Sequence, residues 1–145
     1  MERLIRKKRN LILFLGLIIL SICVLFFVLN YFLKYPSFEE VMREPTKLLN
    51  KKSMTMIDKE TRFDSGIVLP KRVFQYNATL INQDSSSLNI EGFKKDALQV
   101  LLKRVKIDSD LQILRDNKAT ISYRFRDKNG KILFDAFFTP QQYLK

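Results

Sequence analysis

The sequence predicts an α+β protein in which a single N-terminal transmembrane helix precedes a small two-layer domain. In that domain one main helix packs on a mostly antiparallel sheet of three or four strands. Three observations predict this class. The 23 residues from Leu11 to Leu33 carry no charge, residues 89–105 repeat apolar side chains at helical spacing, and three later segments alternate apolar and polar residues. One helix with several antiparallel strands favours two packed layers.

The apolar run is long enough to cross a membrane. At about 1.5 Å per helical residue it spans roughly 35 Å, whereas the hydrocarbon core of a bilayer is about 30 Å thick. Asn30 is its only strongly polar residue. We therefore assign the transmembrane helix to residues 11–34, which makes the lipid bilayer the first expected partner.

A cleaved signal peptide and a lipoprotein anchor are the two alternatives. Signal peptides have a shorter apolar region, of about 7–15 residues, and small residues at the cleavage site. The first alanine of this chain is Ala78. The single cysteine, Cys23, follows Ile22 and lies inside the apolar run, which does not match a lipidation site. The pattern favours an uncleaved signal anchor.

The charges that flank the run predict its orientation. Five Lys and Arg lie within residues 1–10, whereas Lys34 is the only cation directly after the run. Basic flanks stay on the cytoplasmic side of a membrane. We expect a single-pass protein of the cell membrane with residues 1–10 as a cytoplasmic basic stub and residues 35–145 outside the cytoplasm.

The composition of the domain limits the kinds of metal site, catalytic group and partner that it can have. The chain has no histidine, and it has no cysteine after the apolar run. The usual ligands of structural zinc, the commonest general base and a cysteine nucleophile are therefore missing, and we expect no metal, cofactor or catalytic residue. Beyond residue 34 there are 20 Lys and Arg and 14 Asp and Glu, an excess that favours acidic partners. Nucleic acid is not an expected partner, because the domain is predicted to lie outside the cytoplasm.

Residues 35–51 are predicted to form an amphipathic juxtamembrane helix. Its interior proline, Pro45, predicts a kink or the start of a second helix with Pro45 at its first position. Apolar side chains at helical spacing give it one apolar face, formed by Phe38, Val41 and Met42. This face has two interpretations: it contacts the bilayer or a partner, or it packs on the domain of the same chain.

The predicted α+β domain, residues 52–145, begins with the weakest pattern of the sequence. Residues 54–57 match a short strand, and residues 58–66 are rich in charge and turn formers. The carboxylates Asp58, Glu60 and Asp64 lack the ligand register of a calcium-binding loop. They are treated as turn residues. Residues 72–81 then alternate as a half-buried strand.

The main helix is predicted from Asn89, a plausible N-cap, to Val105. The inner face is formed by Ile90, Phe93, Ala97, Val100, Leu101 and Val105. The outer side is basic. We combine its cations with the apolar juxtamembrane residues as a candidate interaction surface: Lys94, Lys95, Lys103, Arg104, Phe38, Val41 and Met42. The alternative is an ordinary solvated helix face.

A β-hairpin is predicted after residue 119, because an Asn-Gly pair at residues 129–130 separates two alternating segments. A two-residue turn would place Phe125 opposite Phe134. Arg124 would then face Asp135 as a cross-strand charge pair. A four-residue loop would instead place Phe134 opposite the preceding aromatic residue of the first strand.

Four short motifs occur in order along the last part of the chain. They are Asp58-x-Glu60-Thr61-Arg62-x-Asp64, Phe74-x-Tyr76-Asn77, Tyr123-x-Phe125-x-Asp127-x-x-Gly130 and Thr139-Pro140-x-x-Tyr143. This order resembles a family of short bacterial envelope proteins that have an N-terminal membrane segment and a small extracytoplasmic α+β domain. The resemblance implies a bacterial envelope setting, and it implies no activity and no catalytic residue.

Three functions fit these patterns. The first is a non-catalytic, membrane-tethered binding or accessory module of the cell envelope with an envelope protein as its partner, since a tether raises the local concentration of the domain. The second is a membrane-anchored enzyme that uses carboxylates gathered by the fold, although the sequence shows no nucleophile–base pair and no glycine-rich phosphate loop. The third is a sensor of anionic lipid or cell-wall polymer. We favour the first.

Overall fold

The computed structural model describes residues 2–144. These residues form two compact units, which meet between Ser37 and Phe38. The model confirms the predicted class, because a long apolar helix is followed by a small α+β domain.

The first unit is one 33-residue helix, α1 (Glu2–Lys34). It begins within the predicted basic stub, because Arg, Lys and Leu are good helix formers that extend an existing helix without a new nucleation step. Ser21 Oγ and Asn30 Nδ2 each donate to a carbonyl of the same helix, so these polar groups need no water. The side chains of Arg3 and Arg9, two of the stub cations, lie outside the described residues.

By length and composition, α1 is the one helix in the described part of the chain that could span a membrane. Its described side chains from residue 12 to residue 33 are exposed in the isolated chain. An exposed apolar surface of this extent is typical of a membrane anchor or a signal sequence.

The second unit contains a five-stranded sheet and four helices. In chain order its elements are α2 (Phe38–Asn50), β1 (Thr55–Met56), β2 (Thr61–Leu69), β3 (Val73–Leu80), α3 (Ile90–Ile107), a 3₁₀ turn (Ser109–Leu111), α4 (Gln112–Asp116), β4 (Thr120–Arg126), β5 (Ile132–Phe138) and α5 (Pro140–Tyr143). The strands lie in the order β1-β2-β3-β4-β5. Neighbours are antiparallel except for β3 and β4, which are parallel. The sheet is therefore mostly antiparallel as predicted, but it has five strands instead of three or four.

The additional strand is β2, in the region that the sequence indicated as turn-rich. Asp58 Oδ1 does close a turn, because it accepts from the backbone N–H groups of Glu60 and Thr61. The strand follows at once and carries a β-bulge at Asp64, where the pairing with β3 shifts by one residue. Asp64 accepts hydrogen bonds from Arg62 and Thr79. A bulge of this kind places a charged residue within a strand and interrupts the alternation of side chains.

Helix α2 packs on β2 and belongs to the compact domain. It runs through Pro45 as one element. The side-chain amide of its last residue, Asn50, donates to the carbonyl of Gly66 over 2.9 Å and accepts from the N–H of Gly66 over 2.7 Å. A Cβ at Gly66 would lie 2.7 Å from Leu49 Cδ2 and 2.8 Å from Phe74 Cζ, so a larger residue would displace these two side chains. The end of α2 thus covers the strand edge that the short β1 leaves unpaired.

The hairpin between β4 and β5 has a different turn from the predicted two-residue one. The N–H of Gly130 donates to Asp127, and the N–H of Asp127 donates to Lys131, so the loop contains three residues. Within this loop only Gly130 has a positive φ, of 83°. Asn129 therefore does not occupy the left-handed position that a type I′ turn would require.

The predicted cross-strand pairs are nevertheless present. Phe125 pairs with Phe134, and Arg124 pairs with Asp135, because the register shifts by one residue next to the loop and compensates for its extra residue. Of the two registers that the sequence allowed, the first is therefore confirmed.

Helix α3 covers the aromatic face of this hairpin. Asn89 caps the helix by accepting from the N–H of Gly92, as predicted. The ring of Phe93 lies 5.9 Å from that of Phe125 and 5.8 Å from that of Phe134. Leu101 and Val105 are buried in the same core. Residue 100 was assigned to the inner face, which is wrong.

Candidate functional site

The outer side of α3 carries two exposed apolar side chains. Val100 is 68% exposed and Ile107 is 70% exposed. They are seven residues apart, which is about two helical turns, so both lie on the same side of α3. They border an open, shallow depression of about 540 Å³. We call its lining the α3 patch, which consists of Val100, Lys103, Arg104, Ile107, Asp108 and Ser109.

An ion pair at the end of α3 orders the charged part of the patch. Arg104 Nε lies 2.8 Å from Asp108 Oδ2. Partial burial works to lower the pKa of Arg104, but the hydrogen bond to Asp108 raises it above its usual value. The backbone N–H of Asp110 and the Arg104 guanidinium hold the pKa of Asp108 below its usual value. Both groups are therefore charged at neutral pH, and the exposed Lys103 leaves the patch with a positive excess.

Two stacked tyrosines lie within the electrostatic reach of this ion pair. The rings of Tyr76 and Tyr123 are 5.1 Å apart and nearly parallel. Burial raises the pKa of both phenols, that of Tyr123 to about 12, while the nearby Arg104 works in the opposite direction. Both tyrosines are therefore neutral at physiological pH, and neither of them lines the α3 patch.

The predicted cations do not form one cluster. Lys103 and Arg104 line the α3 patch, whereas Lys94 and Lys95 lie more than one turn nearer the N-terminus of α3 and do not line it. Lys95 is exposed, and Lys94 is half-buried. The sequence indicated only that these side chains share a helix.

The predicted apolar contact surface on α2 requires a correction. Phe38 and Met42 are buried in the core of the domain, and Val41 is half-buried. Of the two interpretations of this face, packing on the same chain therefore applies to Phe38 and Met42. Burial in the core of the domain removes their apolar surface from water, which stabilises the fold. They are removed from the candidate surface.

Sequence analysis missed the apolar part of the α3 patch. Ile107 lay beyond the predicted end of the helix, and Val100 was placed on the inner face. A usable signal was present, since two β-branched apolar residues seven positions apart flank two adjacent cations. That spacing is typical of a second, narrower apolar stripe on a helix.

Three carboxylates of the short sequence motifs, Asp58, Asp64 and Asp127, have local structural roles. Asp127 is buried and accepts from the backbone N–H groups of Ser85, Asn129 and Lys131. Burial alone would raise the pKa of Asp127, but these hydrogen bonds lower it below its usual value. Among the described residues, no three His, Cys, Asp or Glu side chains are grouped so that they could hold a metal ion.

Two solved structures share the fold, and a third aligns with a lower score. A Pseudomonas aeruginosa protein that is inferred to be secreted aligns with a TM-score of 0.62 at 11% identity and covers 72% of this chain and 91% of its own. The pilotin EpsS of the Vibrio vulnificus type 2 secretion system aligns with a TM-score of 0.55 at 8% identity, over 72% and 90%. The type II secretion pilotin AspS of Vibrio cholerae follows with a TM-score of 0.45 at 10% identity, over 74% and 99%. At these identities the likeness of the first two concerns the fold alone, and nothing is argued from the third.

Comparison at the level of the sequence identifies a family. No curated protein matches this chain. One family model matches residues 37–134, which is more than half of the chain and includes most of the second unit. The chain therefore belongs to the family described as a domain of unknown function, DUF8479.

Proposed function

We propose that this protein is a non-catalytic, membrane-tethered accessory module of the bacterial cell envelope that binds a protein partner. In this proposal residues 1–10 lie in the cytoplasm, residues 11–34 cross the membrane, and the domain that begins with α2 lies outside the cytoplasm. The α3 patch is the partner surface, and Lys94 and Lys95 extend its positive field along the helix.

The observation that carries the proposal is α1. It is an apolar helix that leads within three residues into a compact folded domain. Such a helix keeps the domain at the membrane, where a partner is met at a high local concentration. The similar fold of a secretion-system pilotin supports an accessory role in the envelope.

The α3 patch supports partner binding because exposed apolar side chains bordered by charge are typical of interaction sites. Its two apolar side chains are spaced to receive an amphipathic helix or an extended segment. Lys103 and Lys106 are exposed nearby and attract carboxylates at low salt. The expected partner segment is therefore apolar on one side and acidic at its edges.

Site-specific photo-crosslinking in intact membranes tests the proposal. A crosslinking amino acid at Ile107 should give one defined product, and Lys103→Glu should reduce its yield at least about tenfold, because the substitution repels an acidic partner. The same label at Glu91, which is exposed near the start of α3, is the matched control. Equal products at both positions, or a product that Lys103→Glu leaves unchanged, would contradict the proposal.

A further inference from the structure

The sheet has a second face, opposite the one that α2 and α3 cover, and its side chains are mostly polar. The strand registers place four side chains of this face in one row across the sheet. Ile67 pairs with Gln75, Gln75 with Ser122, and Ser122 with Phe137. Paired residues of neighbouring strands point to the same side of a sheet, so these four side chains share one face. Gln75 and Ser122 are buried within the row, whereas Ile67 and Phe137 are exposed at its two ends.

An exposed aromatic ring ends this row. Phe137 is 53% exposed, although its neighbour Ser122 is fully buried. Ser122 Oγ has no hydrogen-bond partner in the described part of the chain. The accessible ring of Phe137 thus lies beside a buried hydroxyl that lacks a hydrogen bond to any described residue. Neither feature is needed to pack the fold.

The next row of the same face contains a planar ion pair. Arg124 donates to both carboxylate oxygens of Asp135, over 2.7 and 2.8 Å. Asn77, paired with Arg124, accepts from Gln75 and donates to Ser65. These contacts fix the polar groups in place, while the side chains of the ion pair keep 29% and 25% of their surface in solvent.

A cation continues the line along β4. Arg126 is half-buried, and it makes no ion pair among the described residues. It lies four residues beyond Ser122, which is about 13 Å along a strand. The face therefore presents an aromatic ring, a planar donor and acceptor pair and a cation in one line, the sheet track: Phe137, Arg124, Asp135 and Arg126.

We propose that the sheet track binds an anionic oligosaccharide of two or three sugar rings. The apolar face of one ring stacks on Phe137, the hydroxyls of the next exchange hydrogen bonds with Arg124 and Asp135, and a carboxylate of the strand pairs with Arg126. A sugar hydroxyl can donate a hydrogen bond to the carboxylate of Asp135 and accept one from the guanidinium of Arg124. Charge complementarity with Arg126 selects the acidic form of the ligand.

Other ligand classes fit the track less well. An extended peptide binds by hydrogen bonds to a strand edge, whereas these groups lie on a sheet face. A nucleic acid needs several uncompensated cations, and Asp135 neutralises Arg124. The inference is independent of the α3 patch, so its failure would leave the proposed partner surface unaffected.

Binding of two matched oligosaccharides to the full chain in detergent micelles tests the proposal. One is chitotetraose, which is neutral, and the other is a peptide-free cell-wall glycan tetrasaccharide with the same β-1,4 backbone and lactyl carboxylates on alternate rings. We expect the acidic glycan to bind at least about tenfold more tightly. Arg126→Gln should remove that difference, and Phe137→Ala should weaken both ligands at least about tenfold.

Lys47→Gln and Leu48→Ala are the matched controls, because both side chains are exposed on α2, which packs on the opposite face of the sheet. Thermal unfolding of each variant shows that it is folded. Absence of binding by both glycans, equal affinity for the two, or wild-type affinity of folded Phe137→Ala would overturn the proposal. Equal binding of an oligoglutamate peptide would overturn the choice of a sugar.

Discussion

On the face of the sheet that α2 and α3 cover, Phe74 is 1% exposed and aromatic rings contact each other across three strands. On the opposite face, the same strands carry hydrogen bonds between polar side chains, such as the 2.6 Å bond from Thr79 to Asp64. The difference shows that one sheet can carry apolar packing on one face and directional polar contacts on the other. Apolar burial is large and non-directional, whereas each polar contact contributes little net free energy but fixes geometry.

The largest expected effect comes from removing an aromatic side chain of the covered face. Phe74→Ala should lower the free energy of unfolding by about 3–5 kcal/mol, because it leaves a cavity in the core. Phe137→Ala, on the opposite face, is the matched control and should change it by only about 0.5 kcal/mol. Urea unfolding of the full chain in detergent measures both. Similar losses for the two phenylalanines would refute the contrast between the faces.

An intermediate effect is expected from the ion pair of the polar face. The hydrogen bonds from Arg124 hold the pKa of Asp135 below its usual value. Near pH 4 the folded protein therefore binds fewer protons than the unfolded chain, and stability falls as the pH falls through the lowered pKa. Asp135→Asn should cost about 1 kcal/mol at neutral pH and flatten part of this acid dependence.

The pH dependence of urea unfolding between pH 7 and pH 2 checks this expectation. Asp96→Asn is the control, since Asp96 is exposed on α3 and makes no ion pair among the described residues. An acid slope in Asp135→Asn equal to that of the wild type would show that this pair does not contribute.

The smallest expected effect concerns the unsatisfied hydroxyl. Ser122→Ala removes a buried oxygen that has no partner among the described residues, so the free energy of unfolding should stay constant or rise by about 1 kcal/mol. Thr79→Val removes a hydroxyl that does donate a hydrogen bond, and it should lower the same quantity by about 1 kcal/mol. Calorimetric melting of the two variants compares them. Destabilisation by Ser122→Ala would mean that this hydroxyl has a partner in solution.

Elements whose signals are local could be predicted from the sequence. Three such elements are the apolar run of α1, the N-cap of α3 and the Phe125–Phe134 register. They depend on residues that are close in the chain or joined by one turn. Strand β2 could not be predicted, because its bulge is stabilised by Thr79, fifteen residues after Asp64. The contact between Asn50 and Gly66 is similarly distant.

The candidate sites were predicted less well than the fold. Charge on a helix indicates that its outer side is solvated, but only the packed structure shows which apolar side chains stay exposed next to that charge. Val100 is such a case. The apolar face of α2 illustrates the converse, since its periodicity was correct but the sequence did not indicate what covers Phe38 and Met42. The sheet track depends on strand order, which the sequence did not give.

The central claim is that the apolar helix is a permanent tether that holds the domain outside the cytoplasm. Fusing alkaline phosphatase or a green fluorescent protein to the C-terminus of the full chain tests it most directly, together with the size of the membrane-bound product. We expect an active phosphatase, a dark fluorescent fusion and an uncleaved chain in the membrane fraction. A fluorescent fusion with inactive phosphatase, or a shortened soluble chain, would contradict the account.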